Sequence, residues 1–237
     1  MYNKGIEVNY LNEILIELKN IQKHYPLGKD RLHVLKSINL QIKSGEFVMI
    51  MGKSGSGKTT LLNILGFLDK FSDGKYIFKG NDVTNLTEKD RSKFRNKNIG
   101  FVFQQFNLIP NLNIYKNVEL PMVYSNRYSK EERELLIKEK LEVVGLLDKI
   151  YQKPLELSGG QQQRITIARA LVNNPDIIFA DEPTGALDTD TSTDIMNLLK
   201  NLNEKGKTVI MVTHDPDLIK YATKIIKLKD GVVVEEV

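Results

Sequence analysis

Apolar positions in this chain fall into two rhythms. Alternation and β-branching at Leu15 to Leu18 and at Val34 to Ile42 predict strands. A Ser44-Gly45 turn follows. Phe47 to Met51 contains no polar residue, the pattern of a strand covered on both faces. After a glycine-rich stretch, Thr59 to Leu68 predicts a helix, Leu86 to Lys97 a charged helix, and Ile99 to Phe103 a short strand. Ile114 to Val123 and Lys130 to Val144 predict helices; in the second, Leu135, Leu136, Leu141 and Val144 share a face. Strand signals are few between Asn107 and Pro175, so a helical insertion within an α/β domain is expected. Short apolar runs return at Ile177 to Ala180 and Val209 to Val212. Between them Thr191 to Asn203 predicts a helix with Ile195, Leu198, Leu199 and Leu202 on its apolar side. Lys224 to Leu228 and Val232 to Val237 flank Asp230-Gly231, a hairpin signal. The residues before Glu13 have no assignment.

Composition narrows the classes. No apolar run approaches the roughly 20 residues that cross a bilayer. Met1 to Lys4 is not followed by a signal-peptide core. A soluble chain is expected, with any membrane role exercised through a partner. The net charge is +4, but acids and bases interleave, as in Ser129 to Glu134, so no nucleic-acid face is expected. There is no Cys, which excludes thiol chemistry and disulfides. The only histidines are His24, His33 and His214, too few for a histidine-rich metal site.

Gly52-Lys53-Ser54-Gly55-Ser56-Gly57-Lys58-Thr59 matches G-x-x-x-x-G-K-[ST] and follows a buried strand, the context the motif requires. Its glycines let successive N–H groups turn toward phosphate oxygens, and the helix behind adds its dipole. Lys58 places a charge on the β- and γ-phosphates; Thr59 offers a hydroxyl to Mg²⁺. Thr60 is included among the expected nucleotide contacts. Asp176 to Glu182 is an apolar strand ending in two carboxylates. Asp181 sits where a second Mg²⁺ contact is needed, and Glu182 could polarise the attacking water. A carboxylate base contributes ~10²–10⁴-fold. His214 ends the next apolar strand and could reach the γ-phosphate or that water.

Leu157-Ser158-Gly159-Gly160-Gln161-Gln162-Gln163-Arg164 precedes an amphipathic run from Ile165 to Val172. Ser158 is a good N-cap. Two glycines at a helix start weaken the helix, which argues for close approach of a ligand. At these residues the chain resembles the ABC transporter ATPase family, over nearly its whole length. The resemblance implies an α/β P-loop fold with an N-terminal antiparallel β subdomain. The core would span about 13–103 and 175–237, and a helical subdomain at about 104–174 would carry the signature. It implies ATP and Mg²⁺ as cofactors and a head-to-tail dimer in which Ser158, Gly159, Gly160 and Gln161 act in trans on the partner's nucleotide. By the same resemblance Gln104 would contact Mg²⁺ and the attacking water, and Asp188 would line the dimer interface. His214 would be the switch histidine, and Tyr25 would stack on adenine, with His24 as a competing ring. Glu182 is the intact acid, so both half-sites of a homodimer would be competent, although pairing with a paralogue stays open.

Ile99 to Pro110, Asn117 to Pro121 and Leu61 to Asp69 are similar to the macrolide-exporter and lipoprotein-releasing branch. Cell-division and bacitracin-resistance ATPases are near neighbours. The branch implies a permease partner, docked on Phe106 to Tyr124, and a peripheral place at the cytoplasmic face of the plasma membrane.

Overall fold

A computed structural model describes residues 13–28, 30–125 and 127–237. The unassigned opening, 1–12, lies outside the described residues. The first two strands are far longer than their alternation suggests: β1 (Ile14–Leu27) and β2 (Asp30–Lys43) pair antiparallel along their length. Register shifts after Leu18, Ile21 and Lys23 break the period of two in β1, which is why only its first residues read as strand, whereas most of β2 was legible. The missed β4 (Asp73–Phe78) and β5 (Asn81–Asp82) complete this sheet, in the order β2-β1-β4-β5. Gly74 explains the miss and the pairing together. It has φ 113°, and a Cβ there would lie 2.7 Å from the Asn20 carbonyl, so only glycine lets β4 close on the bulge of β1.

The second sheet has the order β10-β9-β3-β8-β7-β6. β3 (Phe47–Met51), β6 (Ile99–Phe103), β7 (Ile177–Asp181) and β8 (Thr208–Val212) run parallel. β9 (Lys224–Lys229) pairs parallel to β3, and β10 (Val232–Glu236) turns back antiparallel through the Asp230-Gly231 hairpin. The continuous apolar run in β3 is explained by burial on both faces. Phe47 and Met49 enter a core shared with the helical subdomain, Val48 and Ile50 one shared with the antiparallel sheet. Each fully buried side chain of that size contributes roughly 1.5–3 kcal/mol.

α1 (Lys58–Leu65) ends at Gly66 because Phe67 takes a left-handed φ of 58°, three residues short of the expected end. α2 (Glu88–Asn98), α3 (Ile114–Val123) and α4 (Lys130–Val143) fall where expected. α5 (Gly159–Leu171) begins six residues before Ile165, so the polar Gln run is helical. α6 (Thr189–Glu204) leads into β8. The insertion is helical, with α3 and α4 packing on α5. Among the described residues no helix is long and apolar enough to cross a membrane.

Candidate functional site

β3 delivers the chain into the glycine loop and α1 carries it away. A Cβ at Gly52 would overlap the Leu228 carbonyl. At Gly57 (φ 101°) it would lie 2.8 Å from Leu35 Cδ2. These two glycines let the loop pass tightly between β9 and β2. No side chain caps α1, so its first N–H groups point at the cleft in front of it. The cleft has a volume of about 490 Å³. Ser54, Gly55, Gly57, Lys58, Thr59 and Thr60 line it, together with Glu182, His214 and Val34. Gly52, Lys53 and Ser56 belong to the same loop but are not among the residues lining the cleft. The Lys58 ammonium donates to the Gly52 and Lys53 carbonyls at 2.8 and 2.9 Å, and the Ser56 hydroxyl is buried without a partner.

β7 ends with Asp181 in register with Phe103 of β6 and Val212 of β8. Burial raises the Asp181 pKa, the neighbouring Glu182 adds to the rise, and Lys58 opposes it. Asp181 and Lys58 therefore share one field. Glu182 has φ 45°, a left-handed conformation that costs a non-glycine residue on the order of 1–3 kcal/mol. Two backbone bonds hold it there: its N–H donates to the Val212 carbonyl at 3.0 Å, and its carbonyl accepts from Gly185 at 3.1 Å. The turn aims the carboxylate at His214, whose Nδ1 lies 2.9 Å from Glu182 Oε1 while the imidazole stays 71% exposed.

Thr59 and Asp181 offer a hydroxyl and a carboxylate, and no group of three or more His, Cys, Asp or Glu gathers among the described residues. That sparse, all-oxygen set fits Mg²⁺, which takes one or two protein ligands and fills the rest with phosphate oxygens and water.

Gln104 is exposed and is not among the residues lining the cleft. It lies beside Gly185, where a Cβ would come within 2.8 Å of its amide nitrogen. A neighbouring residue that sequence reading missed ties this region together. Gln163, 0% exposed, donates from Nε2 to the Pro183 carbonyl at 2.7 Å and to the Phe103 carbonyl at 3.3 Å. Those carbonyls belong to the residues next to Glu182 and Gln104. The signal was present: on α5, Gln163 shares its face with Thr166, Ile167 and Ala170, all buried. Arg169, also missed, donates to the carbonyls of Phe106 and Asn107 at 2.9 and 2.6 Å.

Ser158 caps α5 with a full capping box: its hydroxyl accepts from Gln161 N–H at 3.3 Å, and its own N–H donates to Gln161 Oε1 at 3.0 Å. Packing gives Gly160 a reason to be glycine besides the approach of a ligand. A Cβ there would overlap the Thr191 methyl group, so packing within this chain already requires glycine. At Gly159 a Cβ would make ordinary contact, 3.5 Å from Leu187. Asp188 caps α6, accepting from the Thr191 N–H at 2.9 Å and its hydroxyl at 2.7 Å. None of Ser158 to Gln161, nor Asp188, lines the cleft of the phosphate loop.

Tyr25 is half-buried at the end of β1, its hydroxyl 2.5 Å from Asp69 Oδ2. Burial raises its pKa, the Asp69 hydrogen bond adds to the rise, and a hydrogen bond with Thr60 opposes it. Thr60 lines the cleft, whereas Tyr25 is not among the lining residues. The competing ring, His24, lies flat on His33 with centroids 4.0 Å apart.

Comparison with known proteins agrees with this geometry. Residues 35–185 match the family described as ABC transporter. The chain is 55% identical over 221 residues to an uncharacterized ABC transporter ATP-binding protein, MJ1508 of Methanocaldococcus jannaschii, covering 93% of this chain and 98% of that one. It is 49% identical to the macrolide export ATP-binding/permease protein MacB of Bdellovibrio bacteriovorus, covering 92% of this chain but 33% of that longer protein. The dimeric structure of the ABC transporter cassette MJ0796 superposes with a TM-score of 0.85 at 51% identity, covering 94% and 98% of the two chains. A post-hydrolysis state of that cassette bound to ADP and Pi matches with the same TM-score. With its phosphate loop and paired strand-end carboxylates on this fold, the chain belongs to the ABC transporter family as an ATP-binding, ATP-hydrolysing cassette.

Proposed function

We propose that this cassette powers a membrane export or mechanotransmission complex of the macrolide-exporter type, acting as one half of a head-to-tail dimer. One observation carries the reading. The phosphate loop shares its cleft with Glu182 and His214, while Ser158 to Gln161 line no part of it. A second chain presenting its α5 N-terminus would complete the site.

In that assembly Lys58 exchanges its bonds to the Gly52 and Lys53 carbonyls for the β- and γ-phosphate oxygens. Glu182 accepts the proton of the attacking water. His214 donates from Nδ1 to Glu182 Oε1 and keeps the carboxylate pointed at the cleft. Thr59 and Asp181 would hold Mg²⁺, with Gln104 reaching in from beside Gly185, and the bound ion would supply positive charge against the phosphates. Tyr25 stacks on the adenine, and Val34 supplies an apolar contact nearby. Ser158 and Gly160 of the second subunit close over the γ-phosphate, and Asp188 lies at the seam.

The permease would seat in a groove of about 470 Å³ lined by Phe101, Phe103, Asn107, Pro121 and Arg169, which overlaps the stretch expected to dock it. The relative in which a cassette like this one continues into a permease is a macrolide exporter. Glu182→Gln should bind ATP and accumulate a dimer seen by light scattering. If that variant stays monomeric at saturating ATP, the shared-site reading fails.

A further inference from the structure

Behind the Tyr25 ring stands a buried cation. Lys23, 7% exposed, places its ammonium 4.4 Å from the ring centroid. The same ammonium bonds Asp69 Oδ1 at 2.7 Å and the Lys70 carbonyl. Asp69 uses its other oxygen for the Tyr25 hydroxyl. An ammonium buried that deeply needs a counter-charge, and Asp69 supplies it. Burial works to raise the Asp69 pKa, but the hydrogen bonds from Lys23 and Tyr25 outweigh it and hold the carboxyl below its usual value. Lys23, Tyr25 and Asp69 thus form a closed triangle in which the ring can neither swing away nor offer both faces.

A cation over one face of an aromatic ring draws π density toward itself. The opposite face becomes less negative and a better platform for an electron-rich base. We propose that Lys23 and Asp69 are positioning residues for nucleotide affinity: Lys23 polarises and backs the Tyr25 ring, Asp69 locks it, and the base stacks on the face that Lys23 leaves free. The proposal rests on Tyr25 as the stacking partner of adenine. It assigns to Lys23 a task that involves the base and no phosphate.

The test is calorimetric binding of ATP, and of tripolyphosphate as a ligand without a base, to the whole chain and to Lys23→Met, Tyr25→Leu and the double variant. Lys23→Met is expected to weaken ATP binding about three- to tenfold and leave tripolyphosphate affinity unchanged. In steady state the loss should fall on KM. In the Tyr25→Leu background Lys23→Met should have no further effect. Lys23→Met with Asp69→Asn removes both charges, so it guards against a fold defect from an orphaned carboxylate; it should weaken ATP alone in the same way. If Tyr25→Leu leaves ATP affinity intact, the stacking reading itself fails. If Tyr25→Leu weakens ATP and Lys23→Met does not, the role given to Lys23 is wrong. Equal losses for ATP and tripolyphosphate, or a full Lys23 effect without Tyr25, overturn it as well.

Discussion

Replacing Gln163 by Leu isolates the contribution of one buried amide. The side chains are close in volume, so the core stays filled, but the donor to the Pro183 and Phe103 carbonyls disappears. A buried acceptor left unpaired costs about 1–3 kcal/mol. The Pro183 bond at 2.7 Å falls in the middle of that range and the 3.3 Å bond to Phe103 at its lower end. The gain from burying an apolar side chain offsets about 1 kcal/mol, leaving a loss of about 2 kcal/mol. For a chain of this length that lowers the melting temperature by about 4–8 °C. The same change frees the residues adjoining Glu182 and Gln104, so kcat should fall at least tenfold while ATP binding to the phosphate loop persists. Differential scanning fluorimetry and a steady-state phosphate-release assay give both numbers. A melting shift below about 2 °C with unchanged kcat would refute the bracing role.

Asp181→Asn should raise the stability of the nucleotide-free protein at neutral pH while abolishing Mg²⁺-dependent hydrolysis. The sign follows from the upward pKa shift: the folded state binds the proton more tightly, so ionisation as pH rises through the folded value costs stability. Melting curves from pH 4 to 8 should show wild type losing ground against Asp181→Asn as pH increases. Gly160→Ala should cost about 1–3 kcal/mol through overlap with the Thr191 methyl group. Thr191→Ser, which removes that methyl and keeps the hydroxyl on Asp188, should restore most of it in urea unfolding. Gly100→Ala should cost as much or more, because its Cβ would overlap the backbone of Ala170; no side-chain change at residue 170 should rescue it.

What was legible in the sequence was whatever a short apolar run or a spaced motif can announce. β3, β7 and β8 are buried on both faces and so have no polar interruptions. The loop from Gly52 to Thr59 stands out because Gly52 and Gly57 answer to close approach of β9 and β2. The antiparallel sheet was mostly hidden, since its bulges scramble the alternation that marks a half-buried strand. At the site, the residues expected to touch nucleotide could be named, and those that hold them could not. Gln163, Arg169, Lys23 and Asp69 act through polar contacts with residues far along the chain, and of the four only Gln163 carries a local mark of burial, its place on the buried face of α5. The packing demand on Gly160 was hidden as well, because Thr191 is invisible beside it until α5 and α6 are brought together.

β6 is the edge of the large sheet, bonded to β7 on one side alone. α5 is fastened to it by the backbone contact of Gly100 with Ala170, by Gln163, and through Arg169 to the loop beyond. The groove that would receive a permease opens against the same strand. A pull along β6 loads its ladder in shear, and the paired residues from Ile99–Ile177 to Phe103–Asp181 resist together. A lift away from β7 would load them one at a time. The molecule is therefore stiff in one direction and compliant in another, and the stiff direction ends at the Asp181 carboxylate.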